Sequence, residues 1–206
     1  MLDALARVMA TRDPATAEHS WRVQRLAVSV AQEVALGDDH LIAAVQAAAP
    51  LHDIGKLAIP DSVLHKPGPL TAEEYELVKR HAALGAEILD GIEFGRPLAQ
   101  IVRHHHENWD GTGYPDALRG SEIPLGARIL AVVDCYDALT SERPYRQPVT
   151  HPDALAMIVE RRGMMYDPAI LDAFVRVVQR LRATDAVLTR DFLATHPYRL
   201  HPARVI

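Results

Sequence analysis

The chain has 206 residues, of which 49% are hydrophobic and 24% charged, and its formal net charge is −5. At roughly 150 residues per domain this is one domain or slightly more, large enough to bury a core without disulfides or a structural metal. Disorder, collagen-like repeats and a disulfide scaffold are excluded. The acidic balance speaks against a non-specific binder of nucleic acid polymers, and the single Cys135 suits a reducing, cytoplasmic compartment. No signal-peptide pattern or 18-residue apolar run is seen. The unusual feature is histidine: 11 residues against three lysines, Lys56, Lys66 and Lys79.

In chain order, Leu2, Leu5, Val8 and Met9 mark a short first helix ending near Asp13-Pro14. The series His19, Val23, Leu26, Val30 and Val34 draws an apolar stripe that stops at Gly37, a C-terminal cap. Asp38 or Asp39 caps the next helix, with Leu41, Ile42, Val45 and Ala49 on its inner face. Thr71 and Glu74 form a capping box that opens a helix through Leu77, His81, Leu84 and Ile88 to Gly91. Further helices are expected from about Arg96 to Glu107 and Leu125 to Thr140, then one with Pro152 in its first turn, and one opened by Asp167-Pro168. No stretch alternates with period two for long enough to predict a sheet. The Pro- and Gly-rich segments 57–70 and 108–124 read as long loops, which in a compact domain are usually functional. The end, from about Thr184 to Ile206, reads as a polar tail with one short helix around Asp191. The fold class predicted is all-α, a helical bundle.

The histidines give this bundle a chemistry. His52 and Asp53 are adjacent, and neighbours on a helix diverge by about 100°, so both reach one metal only by projecting into a shared cavity. Alone, the doublet reads better as a buried His held by a carboxylate. However, His19 and His81 also lie on apolar stripes, and His105 and His106 share faces with Ile101 and Val102, while His104 falls farther round. Asp134 interrupts the apolar run Ala-Val-Val-Asp-Cys-Tyr-Asp. Buried imidazoles and carboxylates need partners or a metal. Such a mixed set suits Fe, Mn, Zn or Ni rather than Mg or Ca. Seven candidates, His19, His52, Asp53, His81, His105, His106 and Asp134, exceed one tetrahedral zinc. They suit two ions roughly 3.5–4 Å apart that clamp a phosphate and activate a bridging water, with Asp53 able to bridge. His40, His65, His104, His151, His196 and His201 are placed in loops, in the tail or on less inward faces, with no chemistry assigned.

His52-Asp53-Ile54-Gly55-Lys56, Ile59-Pro60-Asp61 through Lys66-Pro67-Gly68, His105-His106-Glu107 and Asp110-Gly111-Thr112-Gly113-Tyr114-Pro115 together resemble the HD-GYP domain. So do Asp134 to Ser141 and Arg143-Pro144-Tyr145-Arg146. The resemblance runs through residues 1 to about 180, so 1–183 is expected to be the phosphodiesterase domain and 184–206 the tail. It implies an all-α HD-superfamily fold, a bacterial phosphodiesterase of cyclic di-GMP, and a di- or trinuclear metal centre, often iron. Carried over residue by residue, it places His19, His52, Asp53 and Asp134 around one metal, with Asp53 bridging to a second held by His81, His105 and His106. Third-metal sites in the family carry a Glu four residues before the first His ligand. Here that position is Ala15, so a dinuclear centre is expected, with linear pGpG as the favoured product.

By the same resemblance, Lys56 is the phosphate-side cation that stabilises charge in the transition state, and Arg143 and Arg146 bind phosphate or a guanine edge. Gly111 and Gly113 permit backbone angles closed to other residues, bringing Tyr114 against the substrate or bracing the ligand helix. The GYP loop is also linked in the family to diguanylate cyclase domains. Glu107 and Asp110 read as supporting or structural residues, and Cys135 as a small buried apolar residue. Pro50 departs from the family's aliphatic residue and is expected to kink the helix just ahead of His52, either loosening the metal geometry or being accommodated by Ala47 to Ala49. The chain opens directly on its first helix, as an output domain following a sensor or receiver domain would. Two other readings stay open: an HD phosphohydrolase of another cyclic dinucleotide or nucleotide, and a non-catalytic cyclic di-GMP sensor or interaction module.

Overall fold

The computed structural model describes residues 2–12, 14–92, 95–142 and 147–184, with the side chains at 3, 10, 12, 14–17 and 184 outside that description. Within these residues the elements are α1 (Leu2–Arg12), α2 (Pro14–Val34), α3 (Asp39–Ala48), α4 (Asp61–Leu64), α5 (Ala72–Asp90), α6 (Arg96–His104), α7 (Leu125–Thr140), α8 (His151–Val159) and α9 (Pro168–Thr184). Short 3-10 turns stand at Ala49–Leu51, Ile54–Ala58 and Gly120–Glu122. Among the described residues no strand forms, only an isolated bridge between Arg162 and Tyr166, and no helix is long and apolar enough to cross a membrane.

The helix ends follow the local chemistry of the sequence. The Asp38 side chain accepts the Leu41 amide, and Thr71 and Glu74 make a reciprocal capping box. Gly37 adopts φ +100, the left-handed conformation that lets α2 stop. Burial then selects faces. Val23, Ala27, Val30 and Ala31 of α2 are buried against α7 and α9, where Leu130, Val133, Phe174 and Val177 meet them. The two expected long loops are partly ordered into α4 and the 3-10 turns at Ile54–Ala58 and Gly120–Glu122.

The buried face of α5 differs from the expected Leu77-His81-Leu84-Ile88 stripe. Ile88 is exposed, and the face consists of His81, Ala82, Gly85, Ala86 and Leu89. Small residues win because this face presses on the turn that follows His52-Asp53. A Cβ on Gly55 would stand 1.9 Å from the His81 carbonyl oxygen, and one on Gly85 would stand 3.2 Å from the Gly55 nitrogen. This backbone-to-backbone contact sets His81 beside the doublet.

Pro50 does not simply kink α3. The helix ends at Ala48 and tightens into the 3-10 turn Ala49–Leu51, with proline in the first turn, where it is tolerated. Proline cannot donate to the carbonyl four residues earlier, that of Gln46. The Gln24 side chain of α2 donates to that carbonyl instead, at 2.7 Å. The missing hydrogen bond is replaced across the α2–α3 contact, and His52 and Asp53 emerge from a well-packed turn.

Candidate metal centre

Five segments deliver the side chains: α2 carries His19, the turn after α3 carries His52 and Asp53, α5 carries His81, the end of α6 carries His105 and His106, and α7 carries Asp134. α6 is shorter than expected. It ends at His104, with His105 at its C-cap and His106 beyond, so the histidine run leaves the helix instead of continuing round it. That exit lets His105 and His106 both face the site, their rings 4.0 Å apart, with the His81 ring 5.1 Å from His106.

Two groups of ligand atoms converge, His19-His52-Asp53 and His81-His105-His106, with the atoms of each group within 4.8 Å of one another. Asp134 joins the first, its Oδ1 lying 3.1 Å from His19 Nε2 and 3.8 Å from His52 Nε2. Asp53 faces both groups: Oδ2 lies 3.6 Å from His52 Nε2, and Oδ1 lies 3.4 Å from His81 Nε2. The Lys56 ammonium sits 2.6 Å from Asp53 Oδ2. The Nδ1–H groups of His52, His81 and His105 donate to the carbonyls of Ala49, Val78 and Val102 at 2.7, 2.7 and 2.6 Å. Each ring is thereby oriented with Nε2 toward the others.

The electrostatics split the same way. Burial pushes His81, His105 and His106 down, His106 to about 4, so these rings are neutral, the form that ligates metals. Burial acts on His19 as well, but the neighbouring Asp134 and Asp137 carboxylates outweigh it and raise the ring to about 9. Burial alone would raise the Asp53 carboxyl. The Lys56 ammonium instead holds it well below the usual carboxylate range. Asp134 is likewise held low by His19 and His52 against the effect of burial.

Several residues differ from expectation. Asp134 is only half-buried, its side chain 22% exposed; the buried carboxylate of that helix is Asp137, which the sequence reading passed over. The available signal was the i, i+3 spacing of Asp134 and Asp137, which places both on one helix face. His104 is buried rather than peripheral, donating to the Gln100 carbonyl and pairing with Asp116 at 2.9 Å. Cys135 is partly buried rather than fully so. Gly111 does adopt positive φ, at +83, but Gly113 is needed for close approach: a Cβ there would stand 2.3 Å from the Asn108 nitrogen.

The segment following His106 braces the site. The Tyr114 amide donates to the His106 carbonyl at 3.2 Å, and its ring lies 4.8 Å from the His106 ring. Glu107 is buried and accepts the Asp116 amide at 2.7 Å, while its Oε2 has no hydrogen-bond partner among the described residues. Asp110 accepts from the amide and hydroxyl of Thr112, a local turn rather than a ligand contact. The expected substrate residues Arg143 and Arg146 and the tail 185–206 lie outside the described residues, as does the side chain of Ala15.

The sequence profile of the HD domain family matches residues 3–170. The chain belongs to the HD domain family. The resemblance to HD-GYP domains drawn from the motifs agrees with this. Among characterised relatives, the cyclic di-GMP phosphodiesterase response regulator RpfG of Xanthomonas campestris is 46% identical over 177 residues, covering 85% of this chain and 47% of the relative. The 3'3'-cGAMP-specific phosphodiesterase 2 of Vibrio cholerae is 37% identical over 172 residues, covering 82% of this chain and 32% of the relative. Among solved structures, the cyclic GMP-AMP-specific phosphodiesterase V-cGAP3 of V. cholerae superposes with a TM-score of 0.66 at 20% identity, over 85% of this chain and 47% of that one. This HD domain thus spans about half the length of such relatives or less. HD domains are metal-dependent, and the two groups, one of imidazoles with a carboxylate and one of imidazoles alone, suit transition metals by donor type.

Proposed function

We propose that this HD domain is a cyclic di-GMP phosphodiesterase working through a dinuclear metal centre. The observation that carries the reading is Asp53, whose two oxygens face two separate groups of ligand atoms. His19, His52 and Asp134 complete the first group and His81, His105 and His106 the second. When bound, two divalent ions, Fe or otherwise Mn, Ni or Zn, supply Lewis acidity and an activated water. We assign to Lys56, beside Asp53, the neutralising of charge on a nonbridging phosphate oxygen as the bond breaks. Tyr114, whose ring lies beside that of His106, is assigned with Arg143 and Arg146 to the nucleobases and the second phosphate. Because Ala15 cannot supply the carboxylate of a third site, hydrolysis is expected to stop chiefly at linear pGpG.

The cyclic di-GMP phosphodiesterases among its relatives support this substrate, and a cytoplasmic setting fits the lone cysteine. The cGAMP-specific relatives favour a second reading, in which another cyclic dinucleotide is cut at the same centre. The GYP loop is the surface we assign to a diguanylate cyclase domain. Anaerobic loading with Fe, Mn or Ni, followed by incubation with cyclic di-GMP and 3'3'-cGAMP in parallel, tests the reading. Preferential conversion of cyclic di-GMP to pGpG is expected. Preferential turnover of cGAMP supports the second reading, and tight binding without hydrolysis by folded, metal-loaded protein points to a sensor.

A further inference from the structure

His19 is oriented differently from the other rings. His52, His81 and His105 each use the carbonyl three residues earlier in their own segment. The Nδ1 of His19 instead lies 2.7 Å from Oδ2 of Asp137, on α7 and 118 residues away. Asp137 is itself clamped. Arg22, one turn after His19 on α2, donates Nε to Oδ1 at 2.6 Å and Nη2 to Oδ2 at 2.9 Å. Ser141 adds its hydroxyl at 3.1 Å and accepts a second bond from Arg22. Asp137 is buried, and His19, Arg22 and Ser141 all lie at its carboxylate oxygens.

We propose that Asp137, held by Arg22 and Ser141, is a positioning residue that keeps the remaining proton of His19 on Nδ1 and leaves Nε2 free to ligate. The inference rests on the dinuclear reading above. The competing arrangement is close by: Nε2 lies 3.1 Å from Asp134 Oδ1. Were the proton on Nε2, His19 and Asp134 would hydrogen-bond to each other, and two donor atoms of the first group would be spent together. Both carboxylates accept only, but Asp137 is nearer, at 2.7 Å against 3.1 Å, and is fixed by Arg22 and Ser141, so it keeps the proton on Nδ1 and prevents this. It also raises the ligand strength of Nε2, as carboxylate partners of metal-bound histidines do.

The test is a chelator competition titration of the full chain with Mn2+, comparing wild type, Asp137→Ala and Asp137→Asn, with folding followed by circular dichroism. Two ions are expected in the wild type. In Asp137→Ala one ion should bind about 10- to 100-fold more weakly, the usual cost of removing such a partner, while the other is unchanged. Asp137→Asn, of the same size and still able to accept, should recover part of the loss. Should Asp137→Ala fail to fold, Asp137→Asn decides alone. Wild-type affinity for both ions in a folded variant, or equal weakening of both, overturns the inference while leaving the dinuclear reading standing. A wild type that binds no ion overturns that reading and this one together.

Discussion

The two halves of the centre are built by different means. The His81-His105-His106 group comes from α5 and the end of α6, helices packed directly on each other. Its rings are neutral through burial, and His81 and His105 are aimed by carbonyls of their own segments. The group around His19, His52 and Asp134 draws on α2, the turn after α3, and α7, and its first ring is held by carboxylates from across the chain. One half is therefore local, imidazole-only and uncharged, whereas the other is non-local and carries carboxylates. Asp53 belongs to both. The contrast teaches that the first group depends on how α2 meets α7, and the second on how α6 ends.

The largest expected effect comes from the shared residue. Asp53→Ala should reduce turnover to background and lower the metal content of both halves in elemental analysis; loss of one ion only would mean that Asp53 does not bridge. Next is Gly55→Ala, because its Cβ would collide with the His81 carbonyl. Overpacking of this kind costs about 1–3 kcal/mol. The melting temperature of metal-free protein should fall and activity with it, since the turn and α5 must separate. An unchanged melting point would show that the two halves are not held together there. His81→Ala and His19→Ala should each remove one ion and spare the other, so matching losses in a metal titration would erase the distinction between halves.

Smaller effects mark the edges of the comparison. Gln24→Ala removes the donor that replaces Pro50's missing amide hydrogen. Urea denaturation should show a loss of about 1 kcal/mol, with metal stoichiometry unchanged. His40→Ala, on the exposed face of α3, should change neither metal content nor rate.

How much of this could be read from the sequence follows the same division between local and non-local. Helix periods, the Thr71-Glu74 box and the Asp38 cap depend on neighbouring residues, and they were legible. The seven candidate ligands stood out as polar residues on apolar stripes or in the His52-Asp53 doublet, and the fold brings them together. The face of α5 was misjudged because Gly85 and Ala86 carry no hydrophobic signal of their own; they are buried because Gly55 comes close. Asp137 was missed because its partners, His19 and Arg22, are more than a hundred residues away. Pro50 looked like a flaw in the ligand helix, and only the position of Gln24 shows how its lost bond is replaced.

The most direct test of the account is cyclic di-GMP turnover measured against metal equivalents added anaerobically to metal-free, folded chain. Two bridged groups predict activity that reaches its plateau at two equivalents per chain, with pGpG accumulating. Full activity at one equivalent, or no turnover at any loading, would contradict it.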